Sequence, residues 1–242
     1  LRSKKYNCLN ANILPHRLLF MLAMQQKGLI DKENTYTSFH AYPELLNPSP
    51  HDPILKHSKW ADILTADFKK QLPIQFDISG DWESIYDKIF EHYPEVNGLD
   101  WNKVGDFRYI YEDCYFTITT ESSESHTLCD YHWDDKINDY FRSFHNEMFI
   151  TEKITRPILN LHPQIIYGPT GTLQHLKSLG YKTFSDYWSE DYDNLDGDHK
   201  LEAIMDIIKQ MSVKSLEELH EMYWDMMPIL EHNQAVLLDT SI

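Results

Sequence analysis

Two short stretches put positive charge where a helix should resist it. Pro15, His16 and Arg17 open an apolar run that reaches Met24, and Thr151, Glu152 and Lys153, with Arg156 a turn later, open the segment that continues to Asn160. The positive end of the helix dipole makes each such cation cost a few tenths of a kcal/mol to about 1 kcal/mol unless an anion sits beside it. A phosphate or diphosphate there would gain free backbone N–H groups, the dipole, and charge-assisted bonds from Arg17 and Lys153. Glu152 suits phosphate poorly, yet a carboxylate is a good acceptor for vicinal hydroxyls, as in the acid that reads ribose in dinucleotide folds. Acid beside base therefore points to a sugar next to a phosphate, that is, a nucleotide. A plainer alternative stays open. Glu152, Lys153 and Arg156 would then be a solvated helix start, Thr151 an ordinary N-cap, and Arg17 the partner of a surface acid. Pro157 also allows a helix start as late as Thr155.

The elements that must position these residues alternate between strand and helix. KYNCLN at 5–10 reads as a strand, 12–29 as a helix with Pro15 in its first turn and Gly28 near its end, and NTYTSFHAY at 34–42 as a second strand. CYFTITT at 114–120 has strong strand propensity, PQIIYG at 163–168 reads as a short buried strand, and 172–179 as a helix closed by Gly180. Such alternation predicts an α/β fold, a Rossmann-like parallel sheet with helices on both faces. Helix starts then lie at the carboxyl ends of the strands, on the edge where ligands bind, so Arg17 and Lys153 should face one crevice.

The C-terminal part, about 199–232, reads as helical. LEAIMDIIKQM at 201–211 is amphipathic, and Ser215 with Glu218 spells a capping box for a following helix that Pro228 should kink. The acidic stretch 189–199 reads as a loop. Segment 43–110 is a poorly patterned insertion with a plausible helix at 82–92, and 121–147 is a long polar connection with a helical piece at 137–144. The whole is expected to be one domain over 1–242.

Composition narrows the function. The chain has 242 residues, 42% of them hydrophobic, enough for a real core, and its net charge of -16 disfavours broad nucleic-acid binding. Cys8, Cys114 and Cys129 are odd in number and widely spaced, which argues against a disulfide framework and for a reducing, cytoplasmic setting. The longest apolar run, LLFMLAM at 18–24, is too short to cross a membrane. A chain that begins at Leu1 fits a fragment of a longer protein.

Other chemistries find little support. No GxGxxG, GxSxG or phosphate-binding glycine loop with lysine is present. CDYHWDD at 129–135, with His126 and His145 nearby, matches no familiar metal spacing, and DYD at 191–193 and DGD at 196–198 fit chance within so acidic a stretch.

FITEKITRPIL at 149–159, preceded by TTES at 119–122 and followed by PQIIYGPTGTLQHLKSLGYKTF at 163–184, resembles the donor-binding half of fucosyltransferase-type glycosyltransferases of the GT-B class. CLNANILPHRLLF at 8–20 is similar to the segment that opens that half. The resemblance implies a GT-B donor-type fold and transfer of a sugar from a nucleotide diphosphate sugar to an acceptor hydroxyl, with no metal or other cofactor required. It implies that Arg17 and Lys153 hold the diphosphate and Glu152 the ribose hydroxyls. Phe149 stands where the family has a tyrosine, Thr151 belongs to the same motif, and Glu121 and Ser122 line the crevice from the strand end. Glu121 and Glu124 are the candidate bases. Phe149 lacks the tyrosine hydroxyl, and no asparagine accompanies Glu121 and Ser122. The family's acceptor domain would precede residue 5, so it is either missing or replaced by 43–110. A non-catalytic protein that keeps the fold to bind a nucleotide sugar or a partner is the alternative.

Overall fold

The computed structural model describes residues 1–10, 15–39, 108–121 and 150–239. Ser122, Glu124, Phe149, the expected helices at 82–92 and 137–144, and the histidine-rich stretch around 126–145 lie outside these residues. The described elements are, in chain order, β1 (Lys4–Asn10), α1 (Pro15–Gln26), β2 (Thr35–Phe39), α2 (Arg108–Asp113), β3 (Cys114–Thr120), α3 (Glu152–Leu159), β4 (Gln164–Tyr167), α4 (Thr172–Ser178), a 3-10 turn (Asp191–Asn194), α5 (Gly197–Ser212), α6 (Leu216–Asp225) and α7 (Met227–Leu238).

The four described strands form one parallel sheet in the order β2-β1-β3-β4. From β1 the chain steps outward to β2, and from β3 it steps the other way to β4. Right-handed crossovers therefore put α1 and α3 on opposite faces. Side chains agree with this. Phe20 of α1 packs its ring 5.0 Å from that of Tyr167, while the Gln164 side-chain amide, three residues earlier on the same strand, donates to the Ile154 carbonyl of α3 at 3.1 Å. Odd spacing along a strand means opposite faces.

The α1 face of the sheet is mostly apolar. Tyr6 and Phe116 stack at 5.2 Å, and Cys8, Ile118 and Ile165 are buried with them. Residues 18–24 of α1 are buried all round, as expected of a helix held between the sheet and α5. Gly28 (φ +66) ends it, with Gly28 N–H bonded to the Gln25 carbonyl and Leu29 N–H to that of Met24. That pair is the Schellman pattern, which needs a left-handed residue at Gly28.

The α3 face carries polar groups that are buried and bonded to one another. Asn7 donates to Thr117 Oγ1 at 3.0 Å. Thr117 lies 2.7 Å from His162 Nδ1, and His162 Nε2 lies 2.7 Å from the Cys114 carbonyl. A carbonyl can only accept, so Nε2 carries the proton and Thr117 donates to Nδ1. Thr119 donates to Gln164 Oε1 at 2.9 Å. The threonine alternation in CYFTITT, which would suit a half-solvated strand, here serves a strand buried along its whole length.

The helical C-terminus differs from expectation in two places. The acidic stretch 189–199 is not a plain loop, because it contains the 3-10 turn and the start of α5. Pro228 does not kink one long helix: α6 ends at Asp225, and Pro228 sits in the first turn of α7, where its missing N–H costs nothing. The Ser215 and Glu218 capping box forms with both reciprocal bonds. Ser215→Ala should lower stability by about 1 kcal/mol and the melting temperature by about 2–4 °C, measured by thermal unfolding. An unchanged melting temperature would show that α6 is held by packing alone.

Candidate functional site

The sheet reverses its direction of growth between β1 and β3, and in open parallel sheets the ligand crevice lies outside the carboxyl ends at that point. Asn10 ends β1 there, and Thr120 at the end of β3 donates to Asn10 Oδ1. The next residue, Glu121, joins the two helix starts singled out in the sequence.

Its main chain holds α1. His16 Nε2 donates to the Glu121 carbonyl at 2.9 Å, and Arg17 Nη2 donates to the same oxygen at 3.2 Å and to the Thr120 carbonyl at 3.3 Å. Its side chain holds α3. Glu121 Oε1 accepts the Thr151 backbone N–H at 3.1 Å, and the Thr151 hydroxyl lies 2.6 and 2.8 Å from the two carboxylate oxygens. Thr151 in turn caps α3 by accepting the Lys153 N–H at 3.2 Å. The helix therefore starts at Glu152, not at Thr155, and Pro157 lies inside it. Glu121 is thus a brace between two helix tips, and Thr151 binds both of its carboxylate oxygens, which suits positioning better than proton abstraction.

The charges at the two tips sense one another. Burial lowers the Arg17 pKa, but the carboxylate charges of Glu121 and Glu152 oppose that shift, so Glu152 of α3 stands close enough to act on Arg17 of α1. Partial burial raises the Glu152 pKa, but the hydrogen bond from Lys153 and the charges of Lys153 and Arg156 outweigh it and hold the carboxyl below its ordinary value. Lys153 Nζ pairs with Glu152 Oε1 at 2.9 Å and lies 3.5 Å from Thr151 Oγ1. The exposures differ sharply: Arg17 is 2% exposed, while the Lys153 side chain is 28% exposed. Arg17 is thus buried at this edge, while Lys153 is partly open to solvent.

Three further residues complete the edge, and the sequence reading did not assign them. Gly168, after β4, lies against Glu121: a Cβ there would meet Glu121 Cβ at 3.3 Å and Thr172 Oγ1 at 3.3 Å. Lys200, in the first turn of α5 and 1% exposed, donates to the Gly168 carbonyl at 2.9 Å. The rule that marked Arg17 and Lys153, a cation in a helix's first turn, marks Lys200 as well. Asp193 accepts the N–H groups of Leu173 and Gln174 at 3.0 and 3.1 Å, so the start of α4 is filled by the chain's own carboxylate. That bonding explains one acid of the DYD triplet without a metal. Among the described residues, no group of three or more His, Cys, Asp or Glu side chains is gathered as a metal site, and no helix is long and apolar enough to cross a membrane.

Of the expected site residues, Arg17, Glu121, Thr151, Glu152 and Lys153 are brought to one place. Ser122, Glu124 and Phe149 fall outside the described residues. Comparisons with protein-family models, with curated proteins and with solved structures found no match to this chain.

Proposed function

We propose that this protein binds a nucleotide diphosphate sugar at the carboxyl edge between β1 and β3 and transfers its sugar to an acceptor hydroxyl, as a glycosyltransferase of the GT-B donor type. One observation carries this reading: the tips of α1 and α3 meet at Glu121, with the Arg17 guanidinium and the Lys153 ammonium on either side. Two electropositive helix starts joined at a switch point suit a pyrophosphate. Lys153, partly open to solvent, contacts it, buried Arg17 adds its charge, and Glu152 takes the ribose hydroxyls. In the transfer the acceptor oxygen bonds to the anomeric carbon as the bond to the diphosphate breaks. The acceptor proton goes to a base, and the cations stabilise the departing charge. A second reading is favoured by the engagement of both Glu121 oxygens with Thr151: a protein that binds the nucleotide sugar without turning it over.

A thermal-shift panel of guanosine, uridine, adenosine and cytidine diphosphates and their sugars tests the binding. One base should raise the melting temperature by about 5–10 °C at a hundredfold excess over Kd. Lys153→Ala should abolish the shift with little effect on the free protein. The absence of any shift across the panel would refute the reading. Release or transfer of sugar from the bound donor separates the enzyme from the binding protein.

A further inference from the structure

The tip of α1 has two interior atoms left over. His16 and Arg17 each bond the Glu121 carbonyl through one nitrogen, yet His16 Nδ1 and Arg17 Nε are buried with no hydrogen-bond partner among the described residues. Buried polar atoms without partners are rare and call for an explanation.

Their chemistry is opposite in kind. Because His16 Nε2 donates to a carbonyl, the proton of a neutral ring resides there, and Nδ1 presents a lone pair. The ring is neutral: burial pushes its pKa down to about 4, the Glu121 carbonyl opposing and the Arg17 charge reinforcing. Arg17 Nε presents a hydrogen and no lone pair. Adjacent residues anchored to one oxygen therefore offer an acceptor and a donor. A hydroxyl has the chemistry for both, accepting from Arg17 Nε and donating to His16 Nδ1. An unprotonated phosphate oxygen satisfies Arg17 Nε but sets its lone pairs against that of His16.

We propose that the tip of α1 recognises a sugar hydroxyl of the bound nucleotide sugar, with His16 as the residue that selects hydroxyl over phosphate. The inference rests on the nucleotide-sugar reading and refines it: the diphosphate lies toward Lys153, and a hydroxyl of the ribose or of the transferred sugar docks at His16 and Arg17. The α1 tip is then complementary to the polyhydroxyl part of the ligand.

Calorimetric titration of wild type and His16→Gln tests this, using the nucleoside diphosphate that shifts the melting temperature, its 2'-deoxy and 3'-deoxy forms, and its sugar conjugate. Glutamine keeps a donor for the Glu121 carbonyl and removes the Nδ1 acceptor. His16→Gln should bind roughly tenfold more weakly to the ligand that supplies the hydroxyl. If the ribose supplies it, the diphosphate and its conjugate weaken alike, and one deoxy form binds wild type and variant equally poorly. If the transferred sugar supplies it, only the conjugate weakens. Wild-type affinity of His16→Gln for every ligand, together with loss of binding in Lys153→Ala, overturns the hydroxyl site and leaves the nucleotide-sugar reading standing. Failure of wild type to bind any of these ligands overturns both.

Discussion

Lowering the pH from 6.5 to 4 should remove on the order of 5 kcal/mol or more of folding free energy, most of it before the carboxylates titrate. Two buried imidazoles are responsible. Burial pushes His162 down to about 3, reinforced by the Arg2 charge and opposed by the Cys114 and Tyr111 carbonyls, and it pushes His16 down to about 4. In the unfolded chain both titrate near 6.5. Between the unfolded and folded values the unfolded state binds the extra proton, so stability falls as pH falls. It is fully present above pH 6.5, and each proton removes about 1.4 kcal/mol per pH unit below that. The two sites together give a slope near 3 kcal/mol per pH unit down to about pH 4, large against the 5–15 kcal/mol typical of a domain. Asp31, held low chiefly by its side-chain bond from Asn34, adds its loss only toward the bottom of this range. Urea unfolding at pH 7, 6, 5 and 4 reads the slope, and His16→Gln and His162→Gln should each reduce it by about half. A stability that stays level from pH 6.5 to 4.5 would mean that neither ring is held neutral by the fold.

Glu121→Ala should cost about 2–4 kcal/mol, because the buried Thr151 N–H and hydroxyl lose their acceptor and buried Arg17 loses an opposing charge. Glu121 is the foremost of the neighbours that keep buried Arg17 ionised, and its carboxylate seats the N-cap of α3. Glu121→Gln separates the two contributions. Its amide oxygen still accepts from Thr151, so the cap survives and only the charge is lost. Thr151→Ala does the converse, removing the cap at about 1 kcal/mol and leaving the charge in place. The expected order of loss is Glu121→Ala first, Glu121→Gln second and Thr151→Ala least, read from denaturant midpoints at unchanged m-value. A Glu121→Ala variant within about 1 kcal/mol of wild type would show that Arg17 does not depend on it, and the brace between α1 and α3 would be discarded.

The site was half legible beforehand, and the half follows a physical line. Arg17 and Lys153 stand out because a cation in a helix's first turn is a local conflict, and Thr151 and Glu152 as an N-cap and an acid beside it, all visible from residue type and position alone. For Glu121 the expectation is a crevice-lining residue and a candidate base, not a brace. Its actual position between the helix tips depends on contacts thirty residues away at Thr151 and more than a hundred away at His16 and Arg17. No spacing rule reports such distances. Lys200 escapes the same rule because the amphipathic pattern begins at 201, after the acidic stretch, whereas α5 begins at Gly197 and places Lys200 inside its first turn.

The amino-acid sequence by itself determined the alternating strands and helices, the Gly28 and Gly180 terminations and the Ser215 cap, because each depends on backbone preferences and bonds within a few residues. Tertiary structure alone decided the order β2-β1-β3-β4, the burial of the polar chain from Asn7 through Thr117 to His162, and the meeting of α1 and α3 at Glu121. Those depend on which face each strand turns toward which helix, and a strand's own residues give the two faces without saying what will cover them.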